Sequence, residues 1–449
     1  MRLYLAYIGI FSTVVLTFLG FQKALQNRDW YKQTTAHLLL NYERVGGWDN
    51  FEIRRDTLAY QPITEDNLNN WDAAIYNCVR LHGYQKGHNC YDDFKAAFFP
   101  GFPLFWKFTG LGFTGISLLN FAVYGFGLAL LLALFSWPFK LKAALFLLLL
   151  SSPNVIIYGI PYSESLFFAA GALATYGWIN KKPWLFYLAL YLLFVTRVAG
   201  IIFLLAIAVV TMVALLQAKG HRKFPHYKTF LGVLLTYALA LGTYLFSAYA
   251  DTGSFDLYLE ATQVQEQFFK WPWPLKDWSA EGFAMSTFGL GAILLPALLA
   301  LLPLFLTKSK TELVSPLAVG VLYFVGLLLL ELLHSGGDLH SLHRFVFCSP
   351  AFVFIFLYLT DRSPKTLIIL GTMGLGTFLF LALGFEYAGN SWRWQFLGAP
   401  LWALTFSMPW LLQKTPKLAY SLLLVFSLIN IWWNTYLLNQ LLANAWIFT

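Results

Sequence analysis

Polar and apolar residues do not alternate along this chain; they come in long blocks. The first, LYLAYIGIFSTVVLTFLGF (Leu3 to Phe21), is followed further on by runs such as GAILLPALLALLPLFL (Gly291 to Leu306), with short charged links between. An apolar α-helix needs about 20 residues to cross about 30 Å of hydrocarbon, so the pattern predicts membrane-crossing helices rather than a soluble core. Taking each block as a span gives about thirteen by that length rule: 3–25, 115–137, 141–159, 162–179, 183–196, 199–217, 229–250, 284–306, 313–333, 344–360, 365–385, 395–412 and 417–440. The fifth is short. PWLFYLALYLLFVTRVAG reaches Arg197 after about a dozen apolar residues, which predicts a hairpin that dips part-way and turns back, its open backbone lining a cavity rather than lipid.

Composition agrees with the blocks: 58% of residues are hydrophobic and 12% charged, against about half and about a quarter in soluble domains. The fold class expected is all-α, a polytopic integral membrane protein. Met1-Arg2 followed by an apolar run resembles a signal peptide, but no small-x-small cleavage pattern follows and FQKALQNRDW continues like a helix exit, so a retained first span is expected.

The net charge of +8 invites a nucleic-acid partner until its placement is considered. With Met1 inside and sides alternating at each block, the short inner links hold Lys140, Lys142, Lys181, Lys182, Lys219, Arg222, Lys223, Lys228, Lys308, Lys310, Arg362, Lys365, Lys414 and Lys417, with Glu312 and Asp361 as their acids. Short loops rich in Lys and Arg mark the cytoplasmic side, and no nucleic acid is needed to explain the charge. Residues 1–449 read as one membrane domain, with two large extracytoplasmic loops at 26–114 and 251–283. Tryptophans at 30, 48, 71, 106, 271, 273 and 278 suit folded loops at the membrane interface. Of the three cysteines, Cys78 and Cys90 both fall on the outer side, where an oxidising compartment would let them pair; Cys348 falls in a span.

In the first loop, ITEDNLNNWDAAIYNC predicts a helix beginning near Thr64, with a threonine and acids at its start. Positions four apart share a helix face, so Asp72, Tyr76 and Arg80 stack in one stripe beside an apolar stripe of Trp71, Ile75 and Val79. Such a helix lies on the membrane with its apolar side down and the Asp72 stripe toward a cleft; a plain amphipathic surface helix has the same spacing.

WDAAIY (Trp71 to Tyr76) with HGY (His82 to Tyr84), AFFPGFPLF (Ala97 to Phe105), PYSESLF (Pro161 to Phe167) and TRVAG (Thr196 to Gly200) occur in that order. The series resembles the motif order of the phosphatidylinositol-glycan class V (PIG-V) mannosyltransferases and their bacterial relatives, within the GT-C glycosyltransferases. The likeness covers the first 200 residues, and HSLHRFVFCSP (His340 to Pro350) is similar to a later segment of the family. Ile75 departs from the aromatic common in the family beside Tyr76.

The resemblance implies a GT-C-like fold whose large first extracytoplasmic loop contains interfacial helices. It implies transfer of a hexose, mannose in that family, from a polyprenyl-phosphate donor to a hydroxyl on a glycan, glycolipid or protein acceptor, with inversion. Asp72 is then the catalytic carboxylate, taking the acceptor proton, with Trp71 and Tyr76 against the substrate.

Arg197 and Arg344 are candidate phosphate ligands. Pairing with Glu164 is the structural alternative for Arg197, and snorkelling to the interface the alternative for Arg344. Glu164 either orients a hydroxyl or, with Pro161 and Ser163, caps a helix. His340 and His343, three apart with Asp338 nearby, are expected to hydrogen-bond phosphate or sugar; no metal and no cofactor is expected. The localisation expected is a bacterial inner membrane, with the active face in the periplasm. The rival class is a transporter or flippase of lipid-linked sugars, which would place ionisable residues or broken helices near mid-membrane.

Overall fold

The computed structural model describes residues 2–26, 43–45, 52–54, 60–85, 95–217, 223–255, 316–334, 346–384 and 392–444. Regular structure here is helical, except for a ribbon of two three-residue strands, β1 (Glu43–Val45) and β2 (Glu52–Arg54), paired antiparallel with Glu43 opposite Arg54. Sequence pattern did not signal that ribbon. Five helices among the described residues are long and apolar enough to cross a membrane: α1 (Arg2–Ala24), α5 (Phe113–Ala133), α9 (Ala199–Gln217), the His226–Thr252 part of α10 (Lys223–Thr252) and α15 (Pro416–Leu442). Among the described residues the fold is that of a helical membrane protein. The remaining helices of the bundle are α6 (Phe139–Leu150), α7 (Glu164–Ile179), α8 (Pro183–Thr196), α11 (Pro316–His334), α12 (Pro350–Arg362), α13 (Pro364–Gly384) and α14 (Trp392–Lys414). The expected span 284–306 lies outside the described residues.

Local chemistry sets several boundaries. Pro183, Pro350 and Pro416 each open a helix where no intrahelical N–H is needed. Ser349 accepts a bond from the Phe352 amide at 3.0 Å and so caps α12. The ends beside the lysine-rich links are tied across the bundle: Trp137 donates to Asp361 at 2.7 Å and Gln413 to the Thr360 carbonyl at 2.8 Å.

The expected span 141–159 takes a different form, whereas 162–179 corresponds to α7 (Glu164–Ile179). Helix α6 stops at Leu150 after about 18 Å of rise, and residues 151–163 run as turns around a 3₁₀ segment, Val155–Gly159, before α7 begins. Open backbone within a bilayer is tolerated only where the protein satisfies it. Two asparagines in the long neighbouring helices do so. From α15, the Asn434 amide donates to the Ser152 carbonyl at 2.9 Å and accepts from the Ile156 N–H at 2.8 Å. From α5, the fully buried Asn120 donates to the carbonyls of Ile160 (2.7 Å) and Tyr162 (2.9 Å). These bonds fix where α7 starts, and with it Ser163 and Glu164.

At the opposite end from the lysine-rich links, residues 60–72 lie across the ends of α1, α5 and α15. Gln26 donates to the Tyr60 hydroxyl at 3.2 Å, the Gln61 N–H to Asn439 at 2.7 Å, and Asn70 to the Leu441 carbonyl at 3.3 Å. The Glu65 carboxylate accepts from the Phe113 N–H and from the Thr114 N–H at 3.1 Å, capping the first turn of α5. Burial pushes the Glu65 carboxyl up, but these two amides and the Arg80 charge outweigh it and hold the group below its ordinary value.

Candidate active site

The helix expected from Thr64 onward is two helices. Thr64 does cap the first, α2 (Glu65–Leu68), its hydroxyl accepting from the Asn67 N–H at 3.2 Å. The chain then breaks at Asn69 to Trp71 and restarts as α3 (Asp72–His82). Trp71 has φ 52° and ψ −130°, and the Asn70 carbonyl accepts from the Ala73 N–H at 3.1 Å. Those angles are those of the first central residue of a type II′ turn, a position glycine normally fills. A tryptophan held there stores about 1–3 kcal/mol of backbone strain, and the next residue is Asp72.

The orientation of α3 also differs from expectation. Ala73, Tyr76, Cys78 and Val79 form its buried face. Of the apolar stripe Trp71, Ile75 and Val79, only Val79 is buried; Trp71 is exposed and Ile75 half-buried. Tyr76 decides the rotation. Its ring meets Phe98 and Phe102 edge-on, with centroids 4.8 and 5.0 Å away, and a buried phenol needs a polar partner for its hydroxyl. Arg80 has turned to Asn77, donating at 2.7 and 3.1 Å, with its guanidinium 4.7 Å over the Trp106 ring. The Asp72–Tyr76–Arg80 stripe is therefore largely a docking surface, with half-buried Asp72 at its upper end.

The partner of Tyr76 is Ser163. Their hydroxyls share a buried hydrogen bond of 2.6 Å. Arg197 Nη1 donates to the same serine oxygen at 3.2 Å and lies 2.6 Å from Glu164 Oε1. The expected capping role of Ser163 does not materialise: it precedes α7 in a helical conformation and makes no side-chain cap bond, its hydroxyl being turned to Tyr76 and Arg197 instead. Of the two sequence readings of Arg197, the pairing with Glu164 is the one the geometry shows.

Glu164 is buried and Arg197 largely so, with side-chain exposures of 4% and 14%, and charges withdrawn from water in this way persist only where they are matched. Arg197 gets there because α8 ends at Thr196 and the chain passes through it in extended form before α9. Gly101, the first residue of α4 (Gly101–Thr109), packs against that turn: a Cβ on it would sit 2.6 Å from the Val195 carbonyl oxygen, so only glycine allows the approach.

The structure thus brings Tyr76, Glu164 and Arg197 together, with Asp72 one helical turn from Tyr76 and Trp71 beside it. Burial pushes the Tyr76 phenol far up; Arg197 opposes this, while Glu164 and then Asp72 add to it. The phenol stays protonated and acts as a neutral hydrogen-bonding strut. His340, His343 and Arg344 lie outside the described residues. Cys78 is disulfide-bonded and Cys348 is a buried thiol, while Cys90 lies outside the described residues.

Sequence reasoning missed Asn120, whose signal was a lone amide within an apolar run, ISLLNFAVYG. It also missed Phe98, Phe102 and Trp106 as the walls around Tyr76 and Arg80. A half-buried carboxylate at the rim of a bundle can accept a proton from a hydroxyl delivered from the aqueous side. No family model, curated protein or solved structure matches the chain, so the likeness to the GT-C mannosyltransferases rests on the motifs alone.

Proposed function

We propose that the chain is a GT-C-like integral-membrane glycosyltransferase of about thirteen spans, transferring a hexose from a polyprenyl-phosphate donor to an acceptor hydroxyl. Mannose is the hexose in the family its motifs resemble. The observation that carries this reading is the docking of α3 through Tyr76, Ser163, Arg197 and Glu164, which holds Asp72 half-buried where the first loop meets the bundle. Two features favour an extracytoplasmic, periplasmic site: Lys and Arg gather in the links at the other end, and the Cys78 disulfide suits an oxidising compartment.

In the proposed reaction Asp72 takes the proton of the acceptor hydroxyl as its oxygen bonds to the anomeric carbon. The bond from that carbon to the phosphate oxygen breaks, and polyprenyl phosphate leaves with the electron pair. Attack opposite the leaving group inverts the centre. Charge on the departing phosphate needs cations. With Arg197 matched to Glu164, Arg344 assisted by His340 and His343 takes the larger share, and Arg197 contributes as donor phosphate approaches the shared edge of the pair.

The test uses purified protein in lipid nanodiscs, a polyprenyl-phosphate hexose, and native membrane lipids as acceptors. Wild type is expected to consume the donor, and Asp72→Asn to lower kcat by about 10²–10⁴-fold with an unchanged unfolding temperature. Wild-type turnover by Asp72→Asn would remove the proposed base. Protein that leaves the donor intact yet moves it across a bilayer in liposomes would favour the transporter instead.

A further inference from the structure

Helix α3 is held near its start through Tyr76, and its far end has a separate holder. Gly83, at φ 60° and ψ −145°, closes α3; the next residue, Tyr84, is buried, its hydroxyl donating to the Phe98 carbonyl at 2.7 Å. The Tyr84 N–H donates to a carboxylate oxygen of Asp251 at 2.9 Å. Half-buried Asp251 lies in the last turn of α10. Two turns earlier, Tyr244 packs on the same stretch of the first loop: its hydroxyl donates to the Ala96 carbonyl at 2.9 Å, and its ring stacks on Phe99 with centroids 4.6 Å apart. Tyr244, buried Ala248 and Asp251 are spaced i, i+4, i+7, so one face of α10 grips the loop.

An acid is a costly choice at this point. Carboxylates are disfavoured at helix C-termini, and Asp251 sits at the C-terminal ends of both α10 and α3. It can approach because residue 83 is glycine: a Cβ there would collide with the Asp251 carboxylate, and the positive φ favours glycine as well. What the acid gains is a charge-assisted bond to the Tyr84 amide, the stronger class of hydrogen bond. Two opposing dipoles are accepted to keep it.

That bond has leverage on the site. With Tyr76 as the pivot, Asp72 lies four residues one way and Gly83 seven the other, about 6 and 10 Å of helix rise. A swing of the far end by about 1 Å therefore carries Asp72 about 0.6 Å in the opposite sense, and a misplacement of about 1 Å at a reacting group can cost about 10²-fold in rate. We propose that Asp251 is a positioning residue: bound to the Tyr84 amide, it fixes the tilt of α3 and with it the aim of Asp72. The positioning role rests on the reading of Asp72 as the base, whereas the bond does not.

Two measurements on protein in lipid nanodiscs keep those apart. Hydrogen exchange at the Tyr84 amide, resolved by fragmentation mass spectrometry, follows the bond; turnover of a polyprenyl-phosphate hexose follows the aim. Asp251→Ala is expected to speed exchange at Tyr84 by about tenfold or more and to lower kcat by about tenfold, with KM for the donor unchanged. Asp251→Asn keeps an acceptor oxygen for the amide and should bring kcat back to within about twofold of wild type. Faster exchange in Asp251→Ala with wild-type kcat would overturn the positioning role, since the bond would then serve the scaffold alone. So would Asp251→Asn as slow as Asp251→Ala, or unchanged exchange at Tyr84. Wild-type protein that turns over no donor, while Asp251→Ala still speeds exchange at Tyr84, would reject glycosyl transfer and the positioning role with it and leave the bond standing.

Discussion

Two helices that meet at the site both begin with a carboxylate, and the protein treats the two acids in opposite ways. Glu164 opens α7 behind Ser163, whose backbone is relaxed at φ −79°, ψ −8°; the acid is buried and held 2.6 Å from Arg197. Asp72 opens α3 behind Trp71, whose backbone sits at φ 52°, ψ −130°, and the acid is half-buried. A carboxylate in the first turn suits the helix dipole in both cases. Beyond that, one start is unstrained and its acid is buried, whereas the other is strained and its acid is half-buried at the rim. A buried acid belongs to the scaffold. An acid aimed by strain and left partly accessible is the one suited to chemistry.

The sharpest way to break this comparison is to neutralise each acid. Glu164→Gln breaks the 2.6 Å ion pair between a buried acid and the largely buried Arg197 and is expected to cost about 3–5 kcal/mol of stability, read as a large fall in unfolding temperature in detergent. Asp72→Asn keeps the size and hydrogen-bonding shape of the half-buried side chain and is expected to cost less stability than Glu164→Gln, while lowering kcat by about 10²–10⁴-fold. If Glu164→Gln melts with wild type, the assignment of Glu164 to the scaffold is wrong.

Parts of this arrangement were legible in the sequence. Apolar runs with proline and arginine at their ends gave 183–196 and 199–217, the bounds of α8 and α9, because Pro183 and Arg197 punctuate the pattern. Successive helices run in opposite directions, so the start of α7 and the end of α8 share one end of the bundle, and Glu164 and Arg197 fall within reach. What was not legible depends on tertiary partners. VIIYG reads as helix by apolarity, yet it is a 3₁₀ segment, because asparagines from α5 and α15 satisfy the open backbone on either side. The break at Trp71 defied local preference, since a tryptophan occupies a turn position suited to glycine. The rotation of α3 followed from Ser163 finding Tyr76 across 87 residues of sequence, which no spacing rule within the helix contains.

The strained start can be relaxed directly. Trp71→Gly places the residue that the turn geometry favours at φ 52° and should raise stability by about 1 kcal/mol, the relief of strain being offset in part by lost indole contacts. Turnover should fall severalfold, because a glycine no longer fixes the direction in which Asp72 leaves the turn. A stability loss in a chemical-denaturation midpoint would mean that Trp71 serves packing and that its backbone carries no useful strain.

The smallest expected effect is the most specific to the link between the two helices. Tyr76→Phe keeps the ring between Phe98 and Phe102 and removes only the hydroxyl bonded to Ser163, a loss of about 1 kcal/mol. If that bond sets the rotation of α3, kcat falls while KM for the donor stays put, since Asp72 is re-aimed without the donor losing a contact. Ser163→Ala removes the same bond from the other side together with the one from Arg197. In a double-mutant cycle the two changes should therefore be non-additive, with a coupling of about 0.5–1.5 kcal/mol. Strict additivity would show that the hydroxyls are neighbours without being coupled, and that α3 is oriented by its aromatic packing alone.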